Sequence, residues 1–134
     1  MISQIEGDCT DMDYENDPLT AKIIGCCFEV HRELGPGFPE KMYANALQYV
    51  LSREKINYLA EKEFVVSFRN YPVGRFRCDL FIEGQVIIEL KSVIGYTPKL
   101  FHNQLLSYLK ASKIKTGLLI NFGNLSCEVK RLSV

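Results

Sequence analysis

The sequence predicts an α/β sandwich, a mixed β-sheet with helices packed against it, on three observations. Two amphipathic helical stretches come early in the chain. Three strand-like stretches joined by tight turns follow them. A helix then stands between two further strands, a crossover that makes the strands it joins parallel. The order is α-α-β-β-β-α-β-β, with no repeat and no linker.

Residues 1–16 are polar, acidic and without periodicity, so a poorly ordered tail is expected there, with a single domain over 17–134. Asp17-Pro18 supplies an N-cap and a proline at the first helical position. Leu19, Ile23, Cys26 or Cys27, Val30 and Leu34 make one apolar stripe, and Gly35-Pro36-Gly37 ends it. A second helix is predicted from about Pro39 to Arg53, with Tyr43, Ala46, Leu47, Val50 and Leu51 inward. The period then shortens. Tyr58 to Phe68 alternates and is rich in Phe and Val, which predicts a strand. Arg69-Asn70-Tyr71-Pro72 reads as a turn, Val73 to Glu83 as a second strand, and Gln85 to Lys91 as a third beyond a tight turn at Gly84. Thr97-Pro98 repeats the cap signal and opens a helix to about Ser112. Lys115 to Phe122 is a short apolar strand, parallel to 85–91, and Ser126 to Leu132 is the last.

Length and composition agree with one globular domain: 134 residues, 47% hydrophobic and 24% charged. No stretch approaches the roughly 20 apolar residues that cross a bilayer, and the N-terminus has no basic and apolar leader pattern, so a cytoplasmic protein is expected. The five cysteines are an odd number without a CxxC pair or a His at zinc spacing, and read as small buried hydrophobes except Cys9. Net charge is zero but unevenly spread. Six acids and no Lys or Arg fall in residues 1–20, leaving all 16 basic residues against 10 acids. That balance is compatible with a polyanionic partner, and equally with surface lysines that keep the fold soluble.

The chemistry is concentrated in two strands. Ile87-Ile88-Glu89-Leu90-Lys91 is apolar enough to be central, yet ends in two charges at i and i+2, on one face. An E-x-K triplet alone arises by chance in about half of chains this size. Asp79 adds weight, because it lies among Cys78, Leu80, Phe81 and Ile82, a costly setting for a carboxylate that is neither paired nor metal-bound. With a three-residue turn, Glu83-Gly84-Gln85, Asp79 falls opposite Glu89, and Arg77 opposite Lys91. A two-residue turn would send Asp79 to the other face. Facing carboxylates repel unless a cation lies between them, and all-oxygen ligands suit Mg²⁺, or Mn²⁺. A lysine beside them orients the attacking water and stabilises charge on a phosphoryl transition state.

Asp79, then Glu89-x-Lys91, in this order of elements, resembles the PD-(D/E)xK nuclease superfamily. Gly37-Phe38-Pro39-Glu40-Lys41-Met42-Tyr43 matches the signature of its small GxxExxY proteins. Val30-x-x-x-Leu34-Gly35-Pro36-Gly37, Val73-Gly74-Arg75-x-Arg77-x-Asp79-Leu80 and Gly117-Leu118-Leu119-Ile120-Asn121-Phe122-Gly123 resemble it too. Cys78 stands where the superfamily name has Pro, and Pro39 lies inside the G-x-x-E segment. The resemblance implies a restriction-endonuclease-like α/β sandwich. It implies Asp79, Glu89 and Glu40 as ligands of Mg²⁺ or Mn²⁺, Lys91 as the catalytic lysine, and Gln104 and Tyr108 as a Q-x-x-x-Y element. It also implies a nucleic-acid substrate, DNA before RNA, and admits a homodimer.

Read from the residues alone, Glu40 is either a wall of the site or the acid that a helix dipole favours in its first turn. Gln104 reads as a partly buried amide, structural or functional, and Tyr43 as core. His31 and His102 have no nucleophile and acid around them for a triad. Gly35-Pro36-Gly37 lacks the Lys-Ser/Thr of a phosphate loop. Two functions fit: a metal-dependent nuclease, or a nuclease-like fold with little or no catalysis that binds nucleic acid or a protein partner.

Overall fold

A computed structural model of the protein describes residues 17–134; the expected acidic tail, 1–16, lies outside the described residues. Helix α1 (Pro18–Leu34) starts as its sequence predicts: Asp17 Oδ1 accepts from the Thr20 amide at 3.1 Å, and Thr20 Oγ1 donates to Asp17 Oδ2 at 2.6 Å. Gly35, at φ 72°, ends it. Helix α2 (Glu40–Arg53) follows Pro39, with Tyr43, Leu47, Val50 and Leu51 buried. The five-residue link between the helices is braced from below. Tyr43 is fully buried and stacked on Phe122 with ring centroids 4.4 Å apart; its hydroxyl donates to the Gly35 carbonyl and accepts the Phe38 amide. Tyr43 is thus core, as expected.

The first two expected strands are each divided in two. Strands β1 (Tyr58–Ala60) and β2 (Glu63–Phe68) replace the first, and β3 (Tyr71–Arg77) and β4 (Leu80–Ile82) replace the second. They form one antiparallel ribbon in one register, with Tyr58 opposite Ile82 and Glu63 opposite Arg77, bent sharply between. The bend is a left-handed residue, Glu61 at φ 55°, whose amide donates to the Asp79 carbonyl, while the Cys78 amide donates to the Lys62 carbonyl. Beyond the bend the β2–β3 hairpin leaves the main sheet and lays Phe64 and Phe76 against the second core; its turn is Arg69-Asn70 alone, both at positive φ, so Tyr71 and Pro72 belong to β3. Bending costs Arg77 its expected place opposite Lys91: the β4–β5 ladder stops at Leu80, and Arg77 keeps only its pairing with Glu63 on the β2 side.

The main sheet runs β1-β4-β5-β6-β7, completed by β5 (Val86–Lys91), β6 (Thr116–Asn121) and β7 (Glu128–Ser133). Strands β5 and β6 are parallel and all other neighbours antiparallel, which is the mixed sheet expected. Helix α3 (Lys99–Ser112) makes the crossover. It begins one residue later than the cap signal implies: Pro98 takes the cap position without a side-chain bond, and Thr97 Oγ1 accepts from Asn121 Nδ2 instead. One face of the sheet (Leu80, Ile82, Val86, Ile88, Leu90, Leu118, Ile120) packs under α1 and α2. The other (Phe81, Ile87, Leu119) packs with Leu105 and Leu109 of α3. No helix among the described residues is long and apolar enough to cross a membrane.

The β4–β5 turn decides where the acids stand. Glu83 (φ 53°) and Gly84 (φ 64°) turn the chain, the Gln85 amide donates to the Ile82 carbonyl at 2.9 Å, and Leu80 falls opposite Ile88. That is the three-residue loop and the register that put Asp79 level with Glu89. A side chain at a left-handed position is strained by about 1–2 kcal/mol. Gly84→Ala should therefore lower the unfolding free energy by about that much in urea denaturation, while Gly25→Ala, helical and with open space around its Cβ, should not.

Candidate functional site

Two carboxylates close the ends of β4 and β5 on each other's backbones. The Leu90 amide donates to Asp79 Oδ2 at 2.6 Å, and the Asp79 amide donates to Glu89 Oε2 at 3.3 Å. Each acid thereby accepts an N–H from the other's strand, at the place where the bent ribbon leaves the ladder. Asp79 is half-buried and Glu89 is 7% exposed. Burial, then the neighbouring Asp79, push the Glu89 carboxyl up to about 8, against the pull of Lys91 and the Asp79 amide. Burial likewise raises Asp79, opposed by the Leu90 amide and Lys91.

Lys91 shares the Glu89 face of β5, and its Nζ lies 4.2 Å from the centroid of the Phe101 ring on α3. The ring steers the ammonium without using its hydrogens. Glu40, in the first turn of α2, is open to solvent yet partly desolvated by the cleft: burial raises its carboxyl, Lys91 lowers it and Asp79 raises it again. Glu40 and Asp79 line one cleft of about 210 Å³ with Lys41, Gln48, Glu61 and Leu90. Tyr108 stacks on Phe76 with centroids 3.9 Å apart, and its phenol is raised by burial and then by Glu89 and Asp79.

The residues singled out from sequence therefore divide. Asp79, Glu89 and Lys91 come together, Glu40 and Tyr108 stand within electrostatic reach of them, and Gln104 is exposed on α3 where a partly buried amide was expected. His31 is a core residue whose Nε2 lies 2.9 Å from the Asn124 carbonyl. Cys26, Cys27, Cys78 and Cys127 are free and buried, as expected, while Cys9 lies outside the described residues. Lys41, Gln48 and Glu61 were not anticipated. Lys41 follows Glu40 in the same motif and was legible, whereas Glu61 reaches the cleft only through the bend.

Among the described residues no three His, Cys, Asp or Glu side chains are close enough to enclose a metal ion. The donor set still fits a hard cation. Asp79 and Glu89 each spend one oxygen on a backbone amide, leaving the other to ligate, and Mg²⁺ is commonly held by one or two carboxylates with water and phosphate oxygens completing its shell. Glu40 belongs to the rim of that pair, not to a closed cluster with it.

A mixed five-stranded sheet flanked by helices, with two acids and a lysine at the ends of adjoining strands, has the architecture of a restriction-endonuclease-like protein. A model of the PD-(D/E)XK nuclease superfamily matches residues 17–132, and the chain belongs to that superfamily. Nucleic acid is the substrate of such nucleases, and they typically use divalent metals. Comparison with curated proteins gave no match.

The raised Glu89 has a consequence for stability. Between its ordinary value, 4.5, and about 8, the folded protein holds a proton that the unfolded chain has released. Stability therefore falls as pH rises through that window. In EDTA, Glu89→Gln should match the parent near pH 4 and exceed it progressively to pH 8, by on the order of 2–4 kcal/mol. Urea denaturation across that range checks this; a gap that does not change with pH would refute it.

Proposed function

We propose that the protein is a Mg²⁺-dependent nuclease that hydrolyses phosphodiester bonds, with DNA as its substrate, and that it stands with the GxxExxY proteins of its superfamily. One observation carries this: two desolvated carboxylates, each held by the other's strand, stand together beside a lysine, and without a cation Glu89 keeps its proton at pH 7. Such a pair is costly unless a cation and an anionic substrate complete it.

In this mechanism Asp79 and Glu89, with Glu40 from α2, would hold the divalent ion. When bound, the ion supplies Lewis-acid activation of water and neutralises charge on the scissile phosphate. Lys91, aimed by the Phe101 ring, orients the attacking water and donates hydrogen bonds to the phosphoryl oxygens as negative charge gathers on them. Glu40 takes the proton that the attacking water releases, a role suited to a carboxyl whose proton affinity burial raises. Tyr108 backs Glu89, and Gln104, exposed one helical turn earlier, contacts the substrate backbone. The same fold without catalysis, binding nucleic acid or a protein partner, is the second reading, favoured by the near-neutral charge of the whole chain.

Incubating supercoiled and single-stranded DNA with the protein in Mg²⁺, Mn²⁺ or EDTA separates the two. Cutting that requires metal, falls at least 100-fold in Lys91→Ala and Asp79→Ala, and falls about 10-fold in Glu40→Gln is expected. Absence of cutting in every metal, with folded protein, would leave the binding module.

A further inference from the structure

A loop that begins one residue after Lys91 is held rigid and turns its apolar side chains into water. Asn121, buried in the sheet end, accepts the Val93 amide at 3.0 Å and the Gly123 amide at 2.9 Å, and donates to the Val93 carbonyl at 3.0 Å. Asn124 repeats the arrangement three residues on, accepting the Gly95 amide at 2.8 Å and donating to the Gly95 carbonyl at 2.9 Å. A Cβ on Gly123 would overlap the Val93 peptide, so the two segments lie in direct backbone contact. Ser92 Oγ donates to the Phe38 carbonyl at 2.8 Å, which ties the loop to the start of α2 and Glu40. The side chains this frame displays are Ile94 at 92% exposure, Tyr96 at 98% and Leu125 at 90%. A slack loop could fold these inward; one clamped through both asparagines cannot, and Ile94 and Leu125 line one groove, an exposed apolar arrangement that marks an interaction site.

We propose that residues 92–98 with Leu125 form a shelf on which unpaired bases of the substrate strand stack as it enters the Asp79–Glu89–Lys91 site. The inference rests on the nuclease reading and names the form of nucleic acid which that site takes. Position is the first ground. The shelf adjoins the site through Ser92, which follows Lys91 and whose backbone bonds Glu40, and Ser92 lines a groove of about 640 Å³ with Phe38, Ile94, Asn124 and Leu125. Charge is the second. Lys99 follows the loop directly and opens α3, which sets a cation at the end of the shelf for a phosphate of the strand. Chemistry is the third. A strand with unpaired bases offers apolar faces that match Ile94, Tyr96 and Leu125, whereas an intact duplex hides those faces and is gripped mainly through its phosphates.

The chain contains no tryptophan, so Tyr96→Trp introduces a single reporter at a fully exposed position. The full chain is titrated with a twelve-thymidine strand (~12 nucleotides, near the site sizes of single-strand binders) and with a duplex of equal length, in Ca²⁺. Saturable quenching of the indole by the strand is expected, with weaker quenching by the duplex. By anisotropy of a labelled strand, Ile94→Ala with Tyr96→Ala should bind about tenfold more weakly and Tyr96→Phe should bind as the parent does. Strand binding with unchanged emission and unchanged affinity in the double variant overturns the shelf and leaves the nuclease reading standing. No binding of either nucleic acid overturns both. A dimer in sedimentation that Ile94→Asp dissociates assigns the face to a second copy, and also overturns the proposal.

Discussion

The structure around the site depends on one reciprocal contact: Asp79 holds the Leu90 amide and Glu89 holds the Asp79 amide. A carboxylate that caps a backbone N–H is fixed more firmly than one that reaches into solvent, because moving it strands a donor. Here each acid fixes the other's strand, so the two cannot separate without opening the end of the β4–β5 pair. That pair has only three ladder positions, Leu80 to Ile82, and the carboxylates extend it by side-chain bonds where backbone bonds stop. The desolvation that raises Glu89 to about 8 is the cost of building an acid pair into a sheet, not onto it.

The alternation of β5 sets the rest. Val86, Ile88 and Leu90 lock the strand under α1 and α2, while Ile87 enters the second core and the same face then ends in Glu89 and Lys91. Apolar burial on one face thus pins polar groups on the other, and the exposed end of the strand becomes the site. Both helical layers contribute: α2 brings Glu40 and Lys41 over the edge, and α3 brings the Phe101 ring under Lys91 and Tyr108 behind Glu89. The bend at Glu61 and Asp79 makes room, since a straight ribbon would carry Arg77 alongside Lys91 and cover the carboxylates.

Much of this was legible because it is local. Helix starts follow from Asp17-Pro18, the α1 stop from Gly35, and the acid register from the glycine turn at 83–85, each set by neighbours in sequence. The α/β order, the parallel β5–β6 pair and the approach of Asp79 to Glu89 follow from them. The bend was not legible. Residues 58–68 and 73–83 each read as one strand, and no Gly, Pro or Asn at Glu61-Lys62 or Cys78-Asp79 announces a left-handed residue. It is selected by tertiary packing, through Phe64 against Phe81 and Phe76 against Tyr108, contacts between segments far apart in the chain. Gln104 was misjudged for a similar reason. Its neighbours Phe101 and Leu105 suggested a buried face, but the hairpin that covers α3 covers Tyr108 and leaves Gln104 in water.

The choice between an enzyme and a binding module turns on what the buried acid pair is for. A module of this fold needs the sheet, the helices and a surface; it has no use for a carboxyl that burial and a like-charged neighbour push to about 8. Glutamine at 89 would keep an acceptor for the Asp79 amide and remove the repulsion, so retaining glutamate sacrifices stability at neutral pH. Strain of this kind is stored where a ligand or a reaction relieves it. On the nuclease reading a cation would relieve it directly, and a phosphodiester brought against that cation and Lys91 would meet charge placed for its transition state. The same logic bears on the apolar loop after Lys91, where two asparagines hold Ile94 and Tyr96 in water. Acid pair and loop are both locally unfavourable, both rigidly framed, and separated by a few residues of one strand end. A single polymer that supplied phosphate to the first and bases to the second would satisfy both.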